Sequence, residues 1–140
     1  MKYLGLDLGT KTLGLAISDK LGIISMPYKV INYNDENYDY LISELEKIIS
    51  EETIDELVLG LPKNMNNSLG ERALKTLEFQ KILEDRLNIK VNMQDERLST
   101  MESEKFLISN NVSRKKRKKI IDKMAAQIIL DTYLSSRKGN

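Results

Sequence analysis

The 140-residue chain contains no histidine and no cysteine. Thiolate and imidazole zinc sites, cysteine nucleophiles and Ser-His-Asp triads are therefore excluded, and hydrolytic chemistry is left to carboxylates, lysine, tyrosine or a bound hard metal. Three carboxylates stand out by position. Asp7 ends the first apolar run, on the face of Tyr3 and Gly5 and opposite Leu4, Leu6 and Leu8 by two-residue alternation. Glu96 follows a short apolar strand and precedes Ser99, which makes a capping box with Glu102. Asp122 shares a helical stripe with Ala125, Ala126, Ile129 and Tyr133, the face expected to turn towards a sheet, where a carboxylate is costly unless paired or bound to metal. The two alanines should let that helix come close to the strands. Asp131, with Gln127 and Ser135 four residues either side, is expected to face solvent.

Each has a plainer reading: turn opening for Asp7, a solvated loop charge for Glu96, and for Asp122 a helix-start residue serving the dipole or Lys118. Taken together they suit one or two Mg²⁺ or Mn²⁺ ions, which prefer oxygen ligands and retained waters. The chemistry that most needs such a site is phosphoryl transfer.

Charge points the same way. Residues 1–100 carry 12 basic and 17 acidic side chains, whereas residues 101–140 carry 10 basic and 4 acidic. Six of the basic ones are consecutive, Arg114, Lys115, Lys116, Arg117, Lys118 and Lys119, three residues before Asp122. A basic run on an otherwise acidic chain points to a polyanion contacted at one place, and a nucleic-acid phosphodiester is the natural substrate. Like charges repel, so the run is expected to be weakly ordered until it meets phosphates; a solvated loop is its plain alternative.

The elements that must position these residues follow from periodicity. Lys2–Asp7 and Thr12–Ser18 read as a hairpin around Gly9-Thr10-Lys11, and Ile23–Ile31 as a third strand placed at an edge by Pro27. Helical spacing runs through Tyr38, Leu41, Ile42, Leu45, Ile48 and Ile49, and again from Gly70 to Leu87. Between them Leu57–Leu61 is a continuous apolar run, the mark of a strand buried on both faces. Ile89–Met93 is a fifth strand, a helix starts at Ser99, Asn110–Ser113 breaks it, and Lys118–Ser136 forms the last helix. The order β-β-β-α-β-α-β-α-α predicts one α/β domain over residues 1–140, with a mixed sheet and sites at the carboxyl ends of its parallel strands. No stretch is long and apolar enough for a membrane span, and Asp7 and Lys11 interrupt what would be a signal peptide. A cysteine-free chain suits a reducing compartment, and a cytoplasmic protein is expected.

Four stretches carry a resemblance: Leu4–Asp19, the run GLPKNMNNSLGERA from Gly60 to Ala73, Asp95-Glu96-Arg97-Leu98-Ser99-Thr100, and Ile121-Asp122 with Ala125-Ala126 and Ile129-Leu130. In this order they resemble the YqgF family, described as Holliday-junction resolvases or nucleases processing the 5′ end of pre-16S ribosomal RNA, on an RNase H-like fold. The resemblance implies an α/β, RNase H-like, five-stranded mixed sheet flanked by helices, three antiparallel strands coming first and two parallel ones after. It implies a catalytic and metal-binding triad of Asp7, Glu96 and Asp122. It also implies contacts to nucleic acid by Lys11, Lys63, Asn64, Arg72 and Arg97, beside the basic run. The partner would be an rRNA precursor or branched DNA, bound by a monomer or a homodimer. The chain departs from the family where Thr12 stands in place of a frequent Arg, Asn66 and Asn67 in place of Asp-Gly, and Leu69 in place of an acidic residue; Arg72 is kept.

Two rivals compete. Asp7-Leu8-Gly9-Thr10 also resembles the phosphate loop of the actin, chaperone and sugar-kinase ATPases, but those bind nucleotide between two lobes and this length supplies one. The other is an RNase H-like module that binds nucleic acid without cutting it.

Overall fold

The computed structural model describes residues 1–34, 36–63, 66, 68–95 and 105–138. Its strands are β1 (Tyr3–Leu8), β2 (Thr12–Ser18), β3 (Ser25–Asn32), β4 (Glu56–Leu61) and β5 (Val91–Asp95), in the sheet order β3-β2-β1-β4-β5. The first three are antiparallel neighbours, and β4 lies parallel between β1 and β5. The fold is thus the mixed sheet expected, with Pro27 on the edge strand, beside the irregularity at which the register between β2 and β3 shifts.

Helices cover both faces. Leu4, Leu6 and Leu8 of β1 pack with Leu57 and Leu59 of β4 against α1 (Tyr38–Glu52) and α2 (Glu71–Leu87), whose Leu41, Leu45, Phe79 and Leu83 are fully buried. On the other face Tyr3, Ala16 and Val58 meet Ala126, Ile129, Leu130 and Leu134 of α4 (Arg114–Lys138). Between β5 and α4 the described residues 105–109 form a short helical segment, α3.

The approach of α4 is close because β1 has no side chain beneath it at one point. A Cβ on Gly5 would lie 2.8 Å from the Leu130 Cβ and 3.1 Å from the Ala126 carbonyl. Small residues on both partners bring the Asp122 helix down onto the sheet.

Most boundaries shift by a residue or so from the sequence reading, and three of the differences have a clear local cause. β3 begins at Ser25 because the Asp19 carboxylate accepts the backbone N–H groups of Ile23 (2.7 Å) and Ile24 (3.1 Å), holding both in the connecting loop. β5 begins at Val91 because α2 ends on a left-handed Asn88 (φ 51°), after which the chain must turn before it joins the ladder. The third concerns the basic run, which is helical. Ser113 precedes it, its Oγ accepting from Lys116 N (3.3 Å) and its carbonyl from Arg117 N (2.8 Å), a cap that starts α4 at Arg114 instead of Lys118. Lysine and arginine are good helix formers, and a cap outweighs their mutual repulsion. The break before it is where expected, with Asn111 in a left-handed turn (φ 59°). The capping box at Ser99 lies outside the described residues.

Candidate active site

Asp7 stands one residue from the carboxyl end of β1, on the α4 face. Across β2 its register partner is Gly14, and one step beyond the Leu6–Leu59 pair its neighbour on β4 is Gly60, so glycine flanks it on both strands. The carboxylate is left in a clearing of the sheet. It is partly buried, and among the described residues no hydrogen bond reaches it, which sets aside a turn-opening role. Burial pushes its pKa above the ordinary 3.8; Arg72 draws it back down and Asp122 pushes it up again.

Asp122 lies in the third turn of α4, since that helix starts at Arg114. It is therefore no helix-start residue, and among the described residues it forms no ion pair with Lys118. Although exposed, it lines one cavity of about 210 Å³ together with Asp7, Arg72, Ala125 and Ile129. Arg72 arrives from the first turn of α2 on the opposite face and reaches over the strand end, its Nη2 donating to the Leu8 carbonyl at 2.7 Å. The structure thus brings Asp7, Asp122 and Arg72 around one opening at the carboxyl edge of the sheet.

The other positions divide. β5 ends at Asp95, level with Leu61 of β4; Glu96, Arg97 and Asn64 lie outside the described residues. Lys63 follows β4 at the same edge, its backbone N–H on the Leu61 carbonyl (3.1 Å), and does not line the Asp7 cavity. Arg114, Lys115, Lys116, Lys118 and Lys119 are exposed along the first turns of α4. Arg117 differs from them: it is partly buried, and its Nη1 donates to the Val112 carbonyl at 2.9 Å. Asp131 faces solvent as expected, and it is also tied to the sheet. Its Oδ1 accepts from the buried Ser25 Oγ (3.1 Å), while Gln127 Nε2 donates to the Ser25 carbonyl (3.2 Å). This face of α4 is pinned to β3.

A second cavity, about 400 Å³, opens on the other side of the same strand end. Lys11 and Arg72 line it, as do Tyr33, Asn34, Tyr38 and Lys75, which the sequence reading does not connect with a site. Tyr38 carries only the signal of a helical apolar face, and the others come from separate segments.

For a hard divalent cation the donor set is suitable. Two carboxylates converge, one of them unsatisfied by any hydrogen bond among the described residues, and oxygen ligands are what such ions take. No cluster of three possible ligands occurs among the described residues.

Sheet order and flanking helices define an RNase H-like α/β protein. The same fold is found in Thermus thermophilus RuvC, solved in complex with a Holliday junction substrate, at a TM-score of 0.62 and 12% identity over 99% of this chain and 96% of that one. It recurs in the fowlpox virus Holliday junction resolvase, at 0.53 and 15% identity over 97% and 99%. The model of the RuvX family, described as Holliday junction resolvase, matches residues 1–136, and the chain belongs to that family. A Bacillus subtilis (strain 168) protein named "Putative pre-16S rRNA nuclease" is 52% identical over 136 residues, 97% of this chain and 99% of its own. A Staphylococcus haemolyticus (strain JCSC1435) protein of the same name is 49% identical over 136 residues, 96% of each.

Proposed function

We propose that the chain is a metal-dependent nuclease that hydrolyses phosphodiester bonds of structured nucleic acid at the Asp7–Asp122 opening. Its first candidate substrate is the 5′ extension of pre-16S ribosomal RNA, and its second is a four-way DNA junction. One observation carries the reading: a partly buried Asp7 carboxylate without a hydrogen bond among the described residues shares a cavity with a second carboxylate and a guanidinium at the strand ends. A purely structural Asp would be satisfied locally.

Asp7 and Asp122, with Glu96 as the third member of the triad, would hold Mg²⁺ or Mn²⁺. Such an ion supplies Lewis-acid chemistry, neutralising phosphoryl charge and acidifying a water in a chain that has no histidine base. Arg72 offers N–H donors to a non-bridging phosphate oxygen beside the carboxylates, and its charge keeps Asp7 closer to ionisation than burial alone would. The exposed basic residues opening α4 track the backbone. They add side-chain charge to the positive end of a helix dipole that has no acidic residue in its first turn, and phosphate relieves both.

Among the described residues no helix is long and apolar enough to cross a membrane. A cytoplasmic site of action accords with the absence of cysteine. Cleavage of both substrates with Mg²⁺ and with Mn²⁺, beside an Asp7→Asn control, tests the reading. Binding without cleavage under every metal would replace it with that of a non-catalytic nucleic-acid-binding module.

A further inference from the structure

The larger cavity lies across the end of β1 from Asp7. Consecutive strand residues point to opposite faces, so Asp7 and Leu8 open onto different sides of the sheet, Asp7 lining the smaller cavity and Leu8 the larger. Arg72 lines both, fixed at the rim by its bond to the Leu8 carbonyl. The two openings are therefore adjacent stations on one edge, joined by a shared guanidinium.

The unused groups of the larger cavity can all donate. Lys75 is paired with Glu36, and the Tyr33 hydroxyl donates to the Gly9 carbonyl, fastening the β1–β2 loop. The side chains of Thr10, Lys11, Asn34 and Tyr38 have no hydrogen-bond partner among the described residues, and all four face the cavity. Three cations, Lys11, Arg72 and Lys75, stand there against the single carboxylate of Glu36. An occupant rich in acceptors and negatively charged is indicated.

The cavity also has an aromatic wall. Tyr38 packs on the fully buried Phe79 with ring centroids 5.0 Å apart, and Tyr33 lies 6.3 Å from Tyr38. A volume near 400 Å³ exceeds what one phosphate needs and suits a nucleotide, its phosphate on Lys11 and Arg72 and its base or ribose along Tyr38.

We infer that this cavity seats the nucleotide next to the scissile phosphate, held as a single strand that passes over the end of β1. The inference rests on the nuclease reading and adds a substrate requirement to it. A strand must leave its duplex to cross from one face of the sheet to the other, so the preferred substrate is unpaired beside the cut.

The test uses the isotopically labelled chain in EDTA, where metal-dependent cleavage is idle, titrated separately with a short single-stranded RNA and with a blunt RNA duplex. Expected are amide shifts at Thr10, Lys11, Asn34, Tyr38 and Lys75 with the single strand, and none of these with the duplex, which should shift only the opening turns of α4. Tyr38→Leu, which keeps an apolar contact with Phe79, should weaken single-strand binding about tenfold. Single-strand shifts confined to α4 and the Asp7 cavity would overturn the inference and leave the nuclease reading standing; so would equal shifts of the five by the duplex. No shift anywhere with either RNA would refute nucleic-acid binding and this inference with it. If Tyr38→Leu fails to fold, the titrations of the unsubstituted chain decide alone.

Discussion

Asp7 is asked to carry charge where charge is disfavoured. Burial raises its pKa first, Arg72 opposes that, and Asp122 adds to it, so the signs of three substitutions follow. Arg72→Gln should move the Asp7 pKa higher and Asp122→Asn should move it lower, read from the carboxyl carbon in an NMR titration; no movement in either variant would separate these groups. The raised pKa also makes a stability statement. Between the unfolded value near 3.8 and the higher folded value the native state binds more protons, so rising pH costs stability across that window and the penalty stays at neutral pH. Asp7→Asn should therefore melt at or above the native chain at pH 7 in EDTA, with the advantage vanishing below the ordinary aspartate pKa. A large fall in melting temperature would make Asp7 a structural residue.

At the scale of elements, two contacts decide how α4 presents its residues. Gly5 lets it approach, so Gly5→Ala should force the Leu130 and Ala126 contact apart and destabilise the fold by about 1–3 kcal/mol in denaturant unfolding. The cap at Ser113 lets the basic run open the helix as an exposed row. Replacing Lys115, Lys116 and Lys119 with Gln should weaken binding similarly across sequences and flatten the salt dependence by about one unit of slope for each phosphate no longer neutralised. An unchanged slope would mark the run as a solvated surface. Much of this scale is legible in the sequence: Pro27 marks the edge strand, alternation puts Asp7 on the face of Tyr3 and Gly5, and Ala125-Ala126 forecast a close helix. The start of α4 is not, because repulsion within the run argues against a helix until the serine that caps it is counted. The pin from Asp131 to Ser25 is not either, since it depends on how β3 lies under α4, and no local pattern records that.

At the scale of the whole molecule, the sheet gathers at one edge groups that the chain keeps far apart. Asp7, Arg72 and Asp122 span most of the sequence and share one small cavity. A tertiary cavity such as the one around Tyr38 escapes sequence reading for the same reason: its walls come from the β1–β2 loop, the segment after β3, and two helices. Tyr38 looks like an ordinary core residue until those segments meet. Carboxylates can be picked out beforehand because each sits at a recognisable element boundary or stripe, whereas unused donors such as Asn34 carry no such mark.

The most direct test of the central claim is a cleavage assay on a 5′-extended 16S rRNA precursor and on a four-way DNA junction, each with Mg²⁺, Mn²⁺ or EDTA. The native chain is compared with Asp7→Asn, Asp122→Asn and Asp85→Asn, the last an exposed carboxylate at the far end of α2 from Arg72. Divalent-metal-dependent cutting of at least one substrate is expected from the native chain and from Asp85→Asn. Asp7→Asn and Asp122→Asn should fall to background while their melting curves show an intact fold. Cleavage that survives in folded Asp7→Asn, or that proceeds equally in EDTA, would contradict the central claim.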